Sequence, residues 1–178
     1  LLQPGVLDVT LRCDETSLTP AENLACDLYL TASPSGGAMA IPRVLTPLPY
    51  PGKPLAVLEF EARSGSKTLR LEPSYEATHG RYKRAPGLSE EEIVVLGPGN
   101  VWGWRLDLNG ADWLLPREPG EYTLRAIVRI DLAQRDSKGE LYDGARNLAG
   151  KYLDQLTRIV ASGEWTSNTV EITIRGQP

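Results

Sequence analysis

A chain of 178 residues, 41% hydrophobic and 24% charged, is long enough for a sizeable buried core and too apolar for disorder. Its 19 Lys+Arg against 23 Asp+Glu leave a formal charge of −4, which argues against a basic nucleic-acid footprint, and no stretch approaches the ~20 apolar residues of a membrane span. One His and two Cys exclude a four-ligand zinc site built from this chain alone.

The start, Leu1-Leu2-Gln3-Pro4-Gly5, has neither an initiator Met nor a charged-then-apolar leader, so the chain reads as trimmed: a mature exported protein or a cloned domain. Two alternating runs follow, Val6 to Cys13 and Leu24 to Thr31. Leu7, Val9, Leu11 and Cys13 share one face of the first; Leu24, Cys26, Leu28 and Leu30 share one face of the second. If the runs are neighbouring strands, Cys13 and Cys26 are placed for a disulfide, as an oxidising compartment would favour. Two buried reduced thiols fit the same pattern. Ser33 to Pro54 holds six prolines, which forbids a central strand and predicts an extended crossing or edge segment. Leu55 to Ala62 alternates again, a Ser64–Lys67 turn follows, and Thr68–Leu71 is a short strand. Glu72 to Glu92 reads as a long polar loop in which Arg81, Lys83 and Arg84 are answered by Glu90, Glu91 and Glu92.

The second half is more regular. Ile93–Leu96 is a strand and Gly97–Asn100 a turn. Val101–Leu108 is a strand with Trp102, Trp104, Leu106 and Leu108 on its inner face; Tyr122–Ile130 alternates with Tyr122, Leu124, Ala126, Val128 and Ile130 inward. The last strand runs from about Thr166 to Ile174. Between Leu141 and Gly163, Ala145, Leu148, Tyr152, Leu156 and Ile159 recur at helical spacing, with Asp143 as N-cap and Gly163 as terminator. The spacing predicts a helix over about 143–161, inserted between the last two strands. Its Leu148/Tyr152/Leu156 stripe must cover either the domain, as a lid, or a partner, as an interface. Eight or so short strands with intervening turns imply one mainly β domain over residues 1–178, an antiparallel β-sandwich carrying this helical insertion at about 141–163.

Leu96-Gly97-Pro98-Gly99, Pro119-Gly120-Glu121-Tyr122-Thr123-Leu124-Arg125-Ala126 and Ser167-Asn168-Thr169-Val170-Glu171-Ile172 form a succession that resembles the C-terminal half of immunoglobulin-like sandwich domains of exported bacterial proteins. The resemblance implies that these segments introduce strands E, F and G, and that Tyr122 is a tyrosine corner tying its hydroxyl to nearby backbone. It covers residues 93–130 and 165–175. The chain departs from it in lacking a Cys pair at the B and F core positions and in the long F–G insertion. A looser similarity extends to intracellular-proteinase-inhibitor-type and metallopeptidase-associated sandwich domains.

Candidate chemistry is sparse. His79 lies in Ala77-Thr78-His79-Gly80-Arg81, far from any nucleophile signature, and reads as a solvated loop residue. Asp131, Asp136, Glu140 and Asp143 lack EF-hand spacing. Trp102 and Trp104 could stack on sugar rings, but two leucines sharing their face favour core packing. No catalytic, cofactor or metal site is expected. The residues point to a non-enzymatic extracytoplasmic domain (periplasmic, cell-surface or secreted) that meets an unidentified protein partner or serves structurally. The alternatives are a carbohydrate-binding module and a peptidase inhibitor or peptidase-associated domain.

Overall fold

The computed structural model describes residues 6–47, 55–81, 93–131, 138–139 and 161–176. In chain order the strands are β1 (Leu7–Cys13), β2 (Ser17–Leu18), β3 (Leu24–Ala32), β4 (Met39–Pro42), β5 (Leu55–Ser64), β6 (Lys67–Arg70), β7 (Ile93–Leu96), β8 (Val101–Leu108), β9 (Gly120–Asp131), β10 (Ser162–Thr166) and β11 (Val170–Ile174). One sheet has the order β1-β3-β8. The larger has the order β2-β11-β9-β5-β6, with β10 also on β9, and β4 pairs with β7. All pairings are antiparallel except β2 with β11.

Period-2 alternation turns one face of each sheet inward. Leu7, Val9 and Leu11 meet Cys26, Leu28, Leu30, Leu106 and Leu108 on the smaller sheet; Leu58, Phe60, Leu124, Ala126, Val128, Ile130 and Ile172 face them from the larger. Trp113, from the β8–β9 connection, is fully buried and meets Phe60 edge-on at 5.0 Å between centroids. The chain is thus a mainly β antiparallel sandwich. Its strand order is immunoglobulin-like: β1, β3 and β8 stand where A, B and E would, and β5, β9 and β11 where C, F and G would. The three motif segments read from the sequence accordingly introduce β8, β9 and β11.

Three stretches depart from the sequence reading. Within the proline-rich segment, Met39–Pro42 is a paired strand and more than an extended crossing, but it stays out of the sheet centres as expected: it pairs with β7 in a separate two-stranded sheet, and Thr46 then forms a parallel bridge to Val57 at the edge of β5. In the expected polar loop, Pro73 bridges Trp113 and Ala77–Arg81 makes a single π-helical turn. The insertion ends earlier than expected. Ser162–Thr166 pairs with Asp131–Ile127, and Gly163, expected as a helix terminator, lies opposite Ile130, so the final strand pairing starts before Thr166. The physical reason is a two-stage edge: β10 and β11 both lie along β9, separated by the Ser167–Thr169 interruption. The rest of the expected helix, with Leu148, Tyr152 and Leu156, lies outside the described residues. Among the described residues no helix is long and apolar enough to cross a membrane.

Candidate functional site

Cys13 and Cys26 face each other in the β1–β3 register. The Asp14 N–H donates to the Ala25 carbonyl at 3.0 Å, which makes 14 and 25 a hydrogen-bonded pair and 13 and 26 the closer non-hydrogen-bonded pair. There the two sulfurs are joined, with the Cα atoms 4.0 Å apart. Cys26 is buried and Cys13 half-buried. The bridge closes the excursion that carries β2 across to the larger sheet. Beside it, the exposed Arg105 guanidinium donates to Asp27 at 3.0 Å and to both oxygens of Asp14, holding the Asp14 carboxyl below its usual range.

Trp102 and Trp104 share the inward face of β8 with Leu106 and Leu108, but they lie at its open end and stay half-buried against the core. Their rings meet edge-to-face, 6.5 Å apart at 82°. Trp104 Nε1 donates to the Arg43 carbonyl at 2.7 Å, and the Arg43 guanidinium lies 5.5 Å from the centre of the Trp102 ring. The indole N–H of Trp102 is buried without an acceptor among the described residues. On the opposite face of β8, Gly103 leaves room for the Tyr29 ring; a Cβ there would stand 2.7 Å from it.

Tyr122 is buried, and its hydroxyl donates to the Glu118 carbonyl at 2.9 Å; burial first, and then the Glu118 carboxylate, push the phenol pKa above its ordinary value. Four residues further along β9, the Ala126 N–H donates to Ser167 Oγ at 2.9 Å. Asn168 then reaches across to the other sheet: the Leu11 N–H donates to its Oδ1 at 2.8 Å, and its Nδ2 donates to the Leu11 carbonyl at 3.0 Å. Since 11 and 28 are a non-hydrogen-bonded pair, those Leu11 groups point away from β3, and the Asn168 amide pairs them as a strand would. Sequence reasoning placed Ser167 and Asn168 in a strand-opening motif but assigned them no contact.

The outer face of the larger sheet carries an ion-pair ladder. Arg70 meets Glu59 at 3.3 Å, Glu59 meets Arg129, Arg129 meets Glu164 at 2.5 Å, and Arg125 meets Glu61 at 2.7 Å. Past the ladder, at the β5–β6 turn, the face opens into a concavity of about 510 Å³ whose lining includes Arg63, Gly65, Glu121, Thr123, Glu171 and Thr173. Sequence reading places Gly65 in a turn and Glu121, Thr123 and Glu171 in strand-opening motifs, and assigns none of the lining residues a binding role. Elsewhere, His79 stacks on the exposed Tyr75 ring at 4.2 Å with 10° between planes, and Thr78 Oγ1 lies 2.8 Å from its Nδ1. Among the described residues no three His, Cys, Asp or Glu side chains group as metal ligands. Asp136, Glu140 and Asp143 lie outside them.

No protein-family model matches the chain, and no curated protein matches it. Solved structures do. The chain is similar to the CARDB domain of a Pyrococcus furiosus protein crystallised with di-metal ions (10% identity, 99% of each chain covered, TM-score 0.37). It is also similar to the sporulation control protein Spo0M from Bacillus subtilis (9% identity, 97% of this chain and 51% of that one, TM-score 0.42). A third is AvmM, which catalyses macrocyclization in alchivemycin A biosynthesis (9% identity, 97% of this chain and 90% of that one, TM-score 0.41).

Proposed function

We propose that this chain is a single non-enzymatic, extracytoplasmic interaction or structural domain of the immunoglobulin-like kind, meeting a protein partner through its loops and the 141–163 insertion. The observation that carries the reading is the Cys13–Cys26 bridge, which commits every cysteine of the chain to a cross-strand disulfide. Such bridges persist where the surroundings are oxidising and are rare where glutathione keeps thiols reduced. Its position supports the reading too, since it fixes the crossing between the sheets and leaves a rigid scaffold for loops to vary on. The two tryptophans support it over a carbohydrate-binding module. A sugar needs an open aromatic face, whereas Trp102 is covered by Arg43 and both rings are engaged with one another.

The test is thiol trapping in the natural host. Cells lysed directly into a maleimide reagent should yield protein with neither cysteine labelled, and prior reduction should label both. Protein recovered with two labelled thiols would overturn the extracytoplasmic assignment. For the partner, the expected result is cross-linking of a second protein to the full-length chain that Leu148→Asp with Leu156→Asp abolishes while the circular dichroism spectrum persists. Retained cross-linking by the folded double variant would remove the insertion from the interface.

A further inference from the structure

We propose that the concavity at the β5–β6 turn end of the larger sheet binds a short zwitterionic peptide of two or three residues, its carboxylate on Arg63 and its ammonium on Glu171. The contrast with the neighbouring ladder motivates this. Among the described residues, Glu59, Glu61, Arg70, Arg125, Arg129 and Glu164 satisfy one another in ion pairs, while Arg63, Glu121 and Glu171 enter none. The unpaired charges stand where the surface turns concave.

Register sets Arg63 and Glu171 too far apart to pair directly. Arg63 lies opposite Thr123, and Thr123 lies opposite Glu171, so the guanidinium and that carboxylate flank an intervening strand. Two strand spacings put their backbones about 9.6 Å apart. Glu121, two residues before Thr123 on the same face, is the diagonal neighbour of Arg63 and of Glu171 alike, so it stands on the middle strand between the two. Arg63 and Glu171 therefore face each other across a floor that holds the Thr123 hydroxyl.

Arg63 is also oriented for the task. Its Nε–H donates to the Gly65 carbonyl at 3.1 Å, which fixes the guanidinium plane and leaves the Nη hydrogens for an incoming carboxylate. An extended chain covers about 3.3–3.6 Å per residue, so two or three residues span roughly 7–10 Å between charged ends. A free amino acid is too short to reach both poles, and a longer extended peptide carries its two charged ends past them. This site uses none of the insertion residues invoked for the protein partner, so either reading can fail without the other.

Amide-resolved NMR titration of the oxidised chain with triglycine tests it, alongside N-acetyl-triglycine, triglycine amide, the doubly capped peptide and free glycine. Triglycine should shift the amides of Gly65, Thr123 and Glu171 selectively, and each cap should weaken binding about tenfold or more. In Arg63→Ala, amidation of the peptide should make no further difference. In Glu171→Gln, the N-acetyl group should matter less. Unchanged spectra remote from the cavity report that each variant is folded. No localised shift at roughly 10 mM triglycine, or equal affinity for the doubly capped peptide or for glycine, would overturn the proposal.

Discussion

Asn168 shows how much a single amide carries in this sandwich. It gives the Leu11 N–H and carbonyl the partners that an edge strand otherwise takes from water. Asn168→Ala should cost about 1–2 kcal/mol, and Asn168→Asp more, because a carboxylate would replace the donor facing the Leu11 carbonyl. Urea unfolding with an unchanged slope checks both. Tyr122→Phe strands the Glu118 carbonyl, with an expected loss of about 1–2 kcal/mol, or roughly 2–8 °C in Tm for a chain of this size. Two exposed carboxylates set a pH dependence. Hydrogen bonds from Arg105 lower the pKa of Asp14, and the Thr19 N–H, with Arg175 behind it, lowers that of Glu22. A depressed carboxylate favours the folded state above its unfolded value, and that contribution fades as pH falls through the folded one. The melting temperature should therefore be flat above about pH 5 and decline below pH 4. An increase on acidification would contradict the assignment. At this scale the sequence was legible where a residue's role is local. Tyr122 announces itself by the preceding Pro119-Gly120, while Asn168 gives no such sign because its partner is 157 positions away.

Elements were read better than their ends. Alternation is a local property, so the runs holding β1, β3, β5, β8 and β9 stand out in the sequence as single-faced apolar strands. What alternation cannot reveal is pairing order. The two-residue β2 has no periodicity to detect and exists because the Thr173 and Arg175 N–H groups of the β11 edge donate to the Thr16 and Leu18 carbonyls. Likewise, Ser162–Thr166 contains only one large apolar residue, Trp165, and becomes a strand because β9 extends past the reach of β11. Ser167 joins the two by receiving the Ala126 N–H, so Ser167→Ala should leave that buried donor unsatisfied and cost about 1–3 kcal/mol, read as faster hydrogen exchange at Ala126.

Across the whole molecule, strand order was implied by the succession of motifs leading into β8, β9 and β11, whereas the surface was not readable at all. Arg63 and Arg125 look alike in sequence; register gives one a Glu61 partner and the other an open concavity. Register also governs how the chain would bear load. The Cys13–Cys26 bridge spans a sequence separation of 13, so the twelve residues between, β2 among them, form a closed side loop. Tension entering through β1 passes directly into β3 and bypasses that loop. In a pulling experiment the oxidised chain should come up about 40 Å short of its reduced contour length. Equal lengths would mean the bridge is open. Reduction would do more than add slack: it would place β2 in series with the rest and route force into its parallel pairing with β11, so the redox state of one bond would decide whether this module acts as a short, stiff tether or a longer, softer one.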